Sequence, residues 1–238
     1  MRVGIIAALP GELKPLVRGW EKQPSATRGL SVWKTTRNGD ELIAACGGMG
    51  SAAAMRSFAA AEQLGALDLV LSVGWAGGLD MSVRAGHCYI PSEVIDVQTG
   101  ERYQLGDGKR SQPLVTIPNV ADVQEKQRLW QSYGADLVDM EAATVARLAQ
   151  MRGIPLCCFK AVSDNYDARL PDLGGFIDER GQMRMVQFLG HVALRPWFWR
   201  PLMRLGRNSR LAAQAIAEKV QQFLLEKNIE RTNRTGAV

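Results

Sequence analysis

The sequence has few of the residues that hold metals or cross-links. It contains two histidines, His87 and His191, and four cysteines at 46, 88, 157 and 158, none of them in a C-x-x-C pair. That spacing excludes a zinc site of the usual Cys/His kind. Thiols scattered among apolar neighbours read as reduced cysteines in a cytoplasmic protein, not as a disulfide framework. No apolar run reaches the roughly 20 residues that a membrane-spanning helix requires. The opening run Val3–Leu9 is short and is followed by Pro10-Gly11-Glu12, so it reads as a buried strand and not as a secretory leader. Internal repeats, low-complexity tracts and clear linkers are also absent, which excludes disordered, fibrous and solenoid classes. The chain reads as a single domain over 1–238.

What is present is ordinary globular composition with an uneven charge. Of 238 residues 46% are hydrophobic and 22% charged, typical of a soluble domain. The net charge is +5, yet residues 181–238 carry ten Lys/Arg against three Glu and so hold +7, leaving residues 1–180 at −2. The basic character therefore belongs to a Trp/Arg-rich C-terminal helical extension beginning at about 181. Within it Arg195–Arg210 interleaves arginines with Pro196, Trp197, Phe198, Trp199, Leu202, Met203 and Leu205. Two readings fit this stretch: the solvated face of a helix packed on the core, or a peripheral membrane contact at the inner surface. Nucleic-acid binding is disfavoured, because no recognition motif accompanies the charge.

Hydrophobic periodicity organises the first two-thirds. Continuous apolar runs at Val3–Leu9, Leu69–Val73, Leu114–Ile117 and Pro155–Val162 predict strands buried on both faces. Ser31–Thr35 and Glu41–Cys46 flank Asn38-Gly39, a hairpin signal. Helical spacing predicts Glu12–Gly19, Ser51–Leu64 with Ser51 as cap, Asp122–Tyr133, Glu141–Arg152 and Leu211–Leu225. Alternating strands and helices with one hairpin predict a three-layer α/β/α fold around a central mixed β-sheet.

In such sheets ligands bind beyond the carboxyl ends of strands. Five segments place unusual residues there: Glu12, Gly47–Ser51, Gly74–Gly78, Asp139-Met140-Glu141 and Ser163-Asp164-Asn165. Each has a simple structural explanation, as a tight turn, a helix cap or a solvated charge. Five separate explanations do not account for all of them gathering at strand ends. One local alternative is a dinucleotide site, because Gly48-Met49-Gly50-Ser51-Ala52-Ala53 fits G-x-G-x-x-A. The next strand, however, ends in Ser72-Val73-Gly74 and lacks the acidic residue that a nicotinamide ribose needs.

These stretches, together with Gly4-Ile5-Ile6-Ala7-Ala8-Leu9, Val138-Asp139-Met140-Glu141-Ala142-Ala143 and Lys160-Ala161-Val162-Ser163-Asp164-Asn165, occur in one order across residues 3–165. In that order they resemble the purine nucleoside phosphorylase and methylthioadenosine/S-adenosylhomocysteine nucleosidase superfamily. The tail, through Leu194–Trp199 and Arg207-Asn208-Ser209, is similar to the hopanoid-associated branch, which is linked to removal of adenine from adenosylhopane. The resemblance implies a nucleoside phosphorylase-like fold, a purine nucleoside substrate that can be lipid-linked, no cofactor and no metal, and it allows a homodimer.

The resemblance also implies roles for individual residues. Asp164 matches the acid that protonates the departing base, and Glu12 the group that orients or deprotonates the attacking water. Glu141 matches the carboxylate that accepts from the ribose hydroxyls, Met140 the apolar contact to the ribose face, and Ser163 a residue that places the base. Gly74, Trp75, Ala76, Met49 and Lys160 fall on the remaining binding positions. Two positions depart from the family pattern: Trp75 stands where Ser is frequent in the Gly-x-Ala-Gly-Gly turn, and Lys160 where Arg is usual. Hydrolysis is favoured over phosphorolysis, since Leu71-Ser72-Val73 carries no phosphate-binding arginine and Glu12 would repel phosphate. A catalytically weak nucleoside-binding protein is the remaining alternative.

Overall fold

The protein is described by a computed structural model covering residues 1–105, 112–168 and 199–235, together with 174–176, 178, 181, 182, 184 and 187. Leu194–Phe198, which include most of the aromatic cluster of the tail, lie outside the described residues. The central element is β5 (Leu69–Gly78), whose first half is nearly all buried. It runs parallel to β1 (Arg2–Ala7) on one side and to β11 (Leu156–Asp164) on the other, while its last residues pair antiparallel with β10 (Leu137–Asp139). Beyond β1 the sheet continues through β4 (Asp40–Cys46), β3 (Ser31–Arg37) and β2 (Glu21–Gln23). Beyond β10 it continues through β9 (Leu114–Thr116), β7 (Glu93–Asp96) and β8 (Arg102–Gln104), and β6 (Cys88–Tyr89) pairs with β11. Parallel and antiparallel pairs together make the mixed sheet that the sequence pattern predicts.

Helices cover both faces. On one, α2 (Ser51–Glu62) and α4 (Ala142–Met151) bury Phe58, Ala61, Val145 and Ala149 against Ile6, Ile43 and Val70. On the other, α1 (Pro10–Leu13) and the long C-terminal helix α5 (Trp199–Thr235) bury Leu13, Ala212, Ile216 and Val220 against Ile5, Leu71 and Phe159. A further helix, α3 (Val123–Tyr133), packs through Leu129 against Ile95, Val115 and Val138.

Local chemistry accounts for these elements. The Asn38-Gly39 hairpin has positive φ at both residues, 52° and 77°, as a two-residue turn joining twisted strands requires. Asp122 caps α3 by accepting from the Glu125 N–H at 2.8 Å, and Gly134 ends that helix in the left-handed region at φ 60°.

Four expectations change. The helix expected over Glu12–Gly19 is confined to Pro10–Leu13, and residues 14–19 follow as turns. Gly50, not Ser51, occupies the N-cap position of α2; the Ser51 hydroxyl instead accepts from Thr144 Oγ1 at 2.7 Å. β5 continues as strand through Gly74–Gly78, because Gly77 and Gly78 still find partners in β10. Helix α5 starts 12 residues before the expected Leu211 and reaches Thr235.

Candidate active site

Three elements each deliver one carboxylate to a common cavity of about 210 Å³. Glu12 comes from α1, directly after β1. It is 3% exposed, and its carboxylate is held entirely by backbone. Oε2 accepts from the Ala8 and Leu9 N–H groups at 2.9 and 2.8 Å, and Oε1 accepts from the Trp75 N–H at 2.9 Å. Gly74 makes this approach feasible, since a Cβ there would lie 3.1 Å from Glu12 Oε1. Burial pushes the Glu12 carboxyl above its ordinary range, and the three N–H donors together with Lys160 offset only part of that push.

Glu141 stands at the entrance of α4. Its Oε1 accepts from the Gly50 N–H at 2.7 Å, and its Oε2 lies 3.3 Å from the Met140 N–H. The glycine turn before α2, with Gly50 at φ 84°, therefore points a backbone donor at a side chain 91 residues away. Burial, then the neighbouring Asp139 and Glu12, raise the Glu141 carboxyl to about 8.

Asp164 ends β11. Ser163 Oγ lies 2.6 Å from its Oδ1 and 3.3 Å from the Ala76 carbonyl. Its Oδ2 accepts from Lys126 Nζ of α3, which also donates to the Asn165 carbonyl at 2.8 Å.

Behind these groups lies a second ion pair. Asp139 accepts from Thr116 Oγ1 at 2.7 Å and from the Ala142 N–H at 3.0 Å, and Lys160 Nζ sits 2.8 Å from its Oδ2. Both side chains of the pair are almost completely enclosed, at 1% and 0% exposure. Burial works to lower the Lys160 pKa, but Asp139 and Glu141 outweigh it and hold the group above its ordinary value.

The sequence candidates separate cleanly in space. Asp164, Glu12, Glu141, Met140, Ser163, Trp75, Ala76 and Met49 all line the one cavity, whereas Gly74 and Lys160 do not. Gly74 acts by leaving room for Glu12, and Lys160 ends on Asp139 instead of opening toward a ligand. Sequence reasoning missed Lys126, Asn119–Ala121, Leu205 and Ser209, which also line the cavity. Lys126 had a legible signal, since it stands three residues from both Val123 and Leu129 on the inward stripe of α3 and is itself 2% exposed. Leu205 and Ser209 belong to α5, so the basic tail supplies one wall of the site.

In chemical terms the cavity offers two high-pKa carboxyls, Glu12 and Glu141, two lysine-paired carboxylates, Asp139 and Asp164, and apolar walls from Met49, Trp75, Met140 and Leu205. Among the described residues the only cation lining it is Lys126. The buried Trp75 indole N–H finds no protein acceptor.

The family model for the phosphorylase superfamily matches residues 2–122 and 118–186. A curated 5′-methylthioadenosine/S-adenosylhomocysteine nucleosidase of Glaesserella parasuis is 27% identical over 203 residues, covering 70% of this chain and 87% of the relative. In fold, the chain is similar to the nucleosidase of the same description from Helicobacter pylori, with a TM-score of 0.71 at 16% identity over 95% of this chain and 98% of the other. It is also similar to the futalosine hydrolase of that organism, with a TM-score of 0.68 at 16% identity over 93% and 98% of the two chains.

Proposed function

The chain belongs to the phosphorylase superfamily, and on that premise we propose that it hydrolyses the N-glycosidic bond of a purine nucleoside, releasing adenine from a 5′-modified adenosine such as adenosylhopane. The observation that carries this reading is the convergence of Glu12, Glu141 and Asp164, each fixed by a separate element, on one small cavity.

Cleavage of a ribose–purine bond leaves positive charge on the sugar and negative charge on the base. Asp164 protonates the departing base, a contribution typically worth roughly 10²–10⁴-fold. Glu141 pairs with the ribose hydroxyls and fixes the sugar, with Met140 against the ribose face. Glu12, whose carboxyl prefers a proton more than an ordinary one does, receives the proton of the attacking water. Ser163 fixes the Asp164 carboxylate beside the base. Gly74, Trp75, Ala76 and Met49 shape the cavity around the nucleoside. Lys160 acts indirectly, through Asp139.

The choice of water over phosphate rests on charge. A phosphate site needs several converging cations, but Lys126 is committed to Asp164 and Lys160 to Asp139. Arg56 donates to the Gly47 carbonyl from α2. We expect adenine release from 5′-modified adenosines at the same rate with and without phosphate, yielding free ribose product. Ribose 1-phosphate formed in phosphate buffer sinks hydrolysis, and no release from any purine nucleoside sinks the nucleosidase reading in favour of a binding protein.

A lipid-linked substrate also fits the start of α5. Trp199 and Met203 are 50% and 67% exposed there, beside Arg200, Arg204 and Arg207. Among the described residues, no helix is long and apolar enough to cross a membrane. A cytoplasmic protein touching the inner surface through this face, as monomer or homodimer, is the matching reading. Flotation with anionic vesicles should weaken in a Trp197/Trp199 double substitution; unchanged flotation removes the membrane contact.

A further inference from the structure

Lys126 is a fully buried ammonium whose tip reaches the proposed acid and which none of the roles above uses. Its side chain crosses the face of Gly77, whose Cβ would lie 3.2 Å from Lys126 Cε, and ends between Asp164 Oδ2 and the Asn165 carbonyl. The other oxygen of Asp164 is taken by the Ser163 hydroxyl at 2.6 Å. Both carboxylate oxygens thus serve as acceptors, one from Ser163 Oγ and one from Lys126 Nζ, and of these two kinds of donor a lysine ammonium is a far stronger acid than a serine hydroxyl. Burying a lysine here is expensive unless it is paired, so the site retains it at a cost that simple packing would avoid.

The surrounding charges make the assignment specific. Lining the cavity together with Lys126 are Glu12 of α1, Asp139 at the end of β10 and Glu141 at the entrance of α4. On its own helix, Asp122 caps the first turn and Glu125 pairs with Arg128. Arg204 of α5 lies with Asp164 along a neighbouring cleft. The second buried lysine, Lys160, is bound to Asp139. Four carboxylates and two lysines therefore sort into two ion pairs, Asp139–Lys160 and Asp164–Lys126, and two carboxyls without a cation, Glu12 and Glu141.

We propose that Lys126 is a positioning residue that stores the proton for base departure and passes it to the leaving base through Asp164. This rests on the nucleosidase reading. With purine bound, a proton moves from Nζ to Asp164 Oδ2, giving a neutral amine and a carboxylic acid. The acid gives that proton to the base nitrogen as the C–N electron pair leaves with the base, and Asp164 becomes a carboxylate again. Water forms the new C–O bond and delivers its own proton to Glu12. Solvent then reprotonates Lys126 as Glu12 discharges, so protons balance over the cycle.

The test compares Lys126→Met and Lys126→Arg with wild type on an adenosine substrate and on 4-nitrophenyl riboside, whose leaving group needs no proton. For Lys126→Met we expect kcat on the nucleoside to fall about 100-fold with KM nearly unchanged, while kcat on the nitrophenyl riboside stays near wild type. Lys126→Arg preserves the buried charge but holds its proton too tightly, so it should fold and still show the low nucleoside kcat. Wild-type activity in Lys126→Arg, a raised KM with unchanged kcat in Lys126→Met, or equal loss on both substrates would each overturn the role. A wild-type enzyme that releases no purine at all instead overturns the underlying function, an outcome visible before any variant is made.

Discussion

At the scale of single residues, the site gives its carboxylates two kinds of partner. Asp139 and Asp164 have lysine partners, whereas Glu12 and Glu141 are held mainly by backbone N–H groups in a dry setting. Glu141 carries the clearest consequence. Its carboxyl is raised from an ordinary 4.5 to about 8, chiefly by burial and then by Asp139. A raised folded-state pKa means that the folded protein binds this proton more tightly than the unfolded chain does. The associated stability is complete below about pH 4.5 and is lost as pH rises through about 8. Replacing the carboxyl by an uncharged amide removes that loss. Glu141→Gln should therefore be more stable than wild type at pH 9, by on the order of 1–3 kcal/mol, and match it near pH 4.5. Urea unfolding at the two pH values measures this, and a stability difference that does not change with pH rules it out. The same substitution should abolish ribose recognition, separating stability from function at one position.

At the scale of elements, the long apolar runs and the helical stripes were readable because burial on two faces or on one stripe leaves a periodic trace. β1, β4, the start of β5, α3 and α4 all follow that trace. What escaped reading depends on partners distant in sequence. Gly77 and Gly78 look like a chain break, yet they stay extended because β10 pairs with them. Ser51 looks like a cap, but the Gly50 N–H is drawn to Glu141 and the Ser51 hydroxyl to Thr144. The short strands β2 and β8 have three residues each and leave no periodicity to read. Of the site, the acidic residues were legible as motif members; the inward stripe of α3 marked Lys126 as buried but not its role, which depends on α3 lying beside the end of β11. That dependence makes the first turn of α3 a sensitive element, with Lys126 only four residues after its cap. Removing the cap in Asp122→Ala should cost about 1 kcal/mol. The Tm should drop by roughly 2–4 °C for a chain of this size. A melting curve indistinguishable from wild type would show that the Asp122 bond contributes nothing.

At the scale of the whole molecule, the two ends of the chain are tied together away from the site. Arg231, near the end of α5, forms a two-pronged contact with Asp40 at the start of β4, Nη1 to Oδ1 at 2.7 Å and Nη2 to Oδ2 at 3.0 Å, across 191 residues. The amino group of Met1 reaches the same Oδ1 at 2.9 Å. This clamp fixes the far end of a helix whose beginning, at Leu205 and Ser209, walls the cavity. The basic tail is thus partly a structural strap, and its charge is not all available for a membrane or a ligand. Burial alone would raise the Asp40 pKa, but Arg231 and the amino group outweigh it and hold the carboxyl below its ordinary 3.8. Because the folded-state value is the lower one, the stabilisation is complete above about pH 4 and is lost as pH falls through the folded-state value. Asp40→Asn should therefore unfold more readily than wild type at pH 7, and the gap should narrow as the solution is acidified below pH 4. Hydrogen exchange supplies the spatial check. If the clamp anchors α5, amides over residues 220–231 should exchange faster in Asp40→Asn while those of β5 are unchanged. Uniform acceleration through the sheet would mean that Asp40 supports the core as a whole and does not act as a strap for the helix.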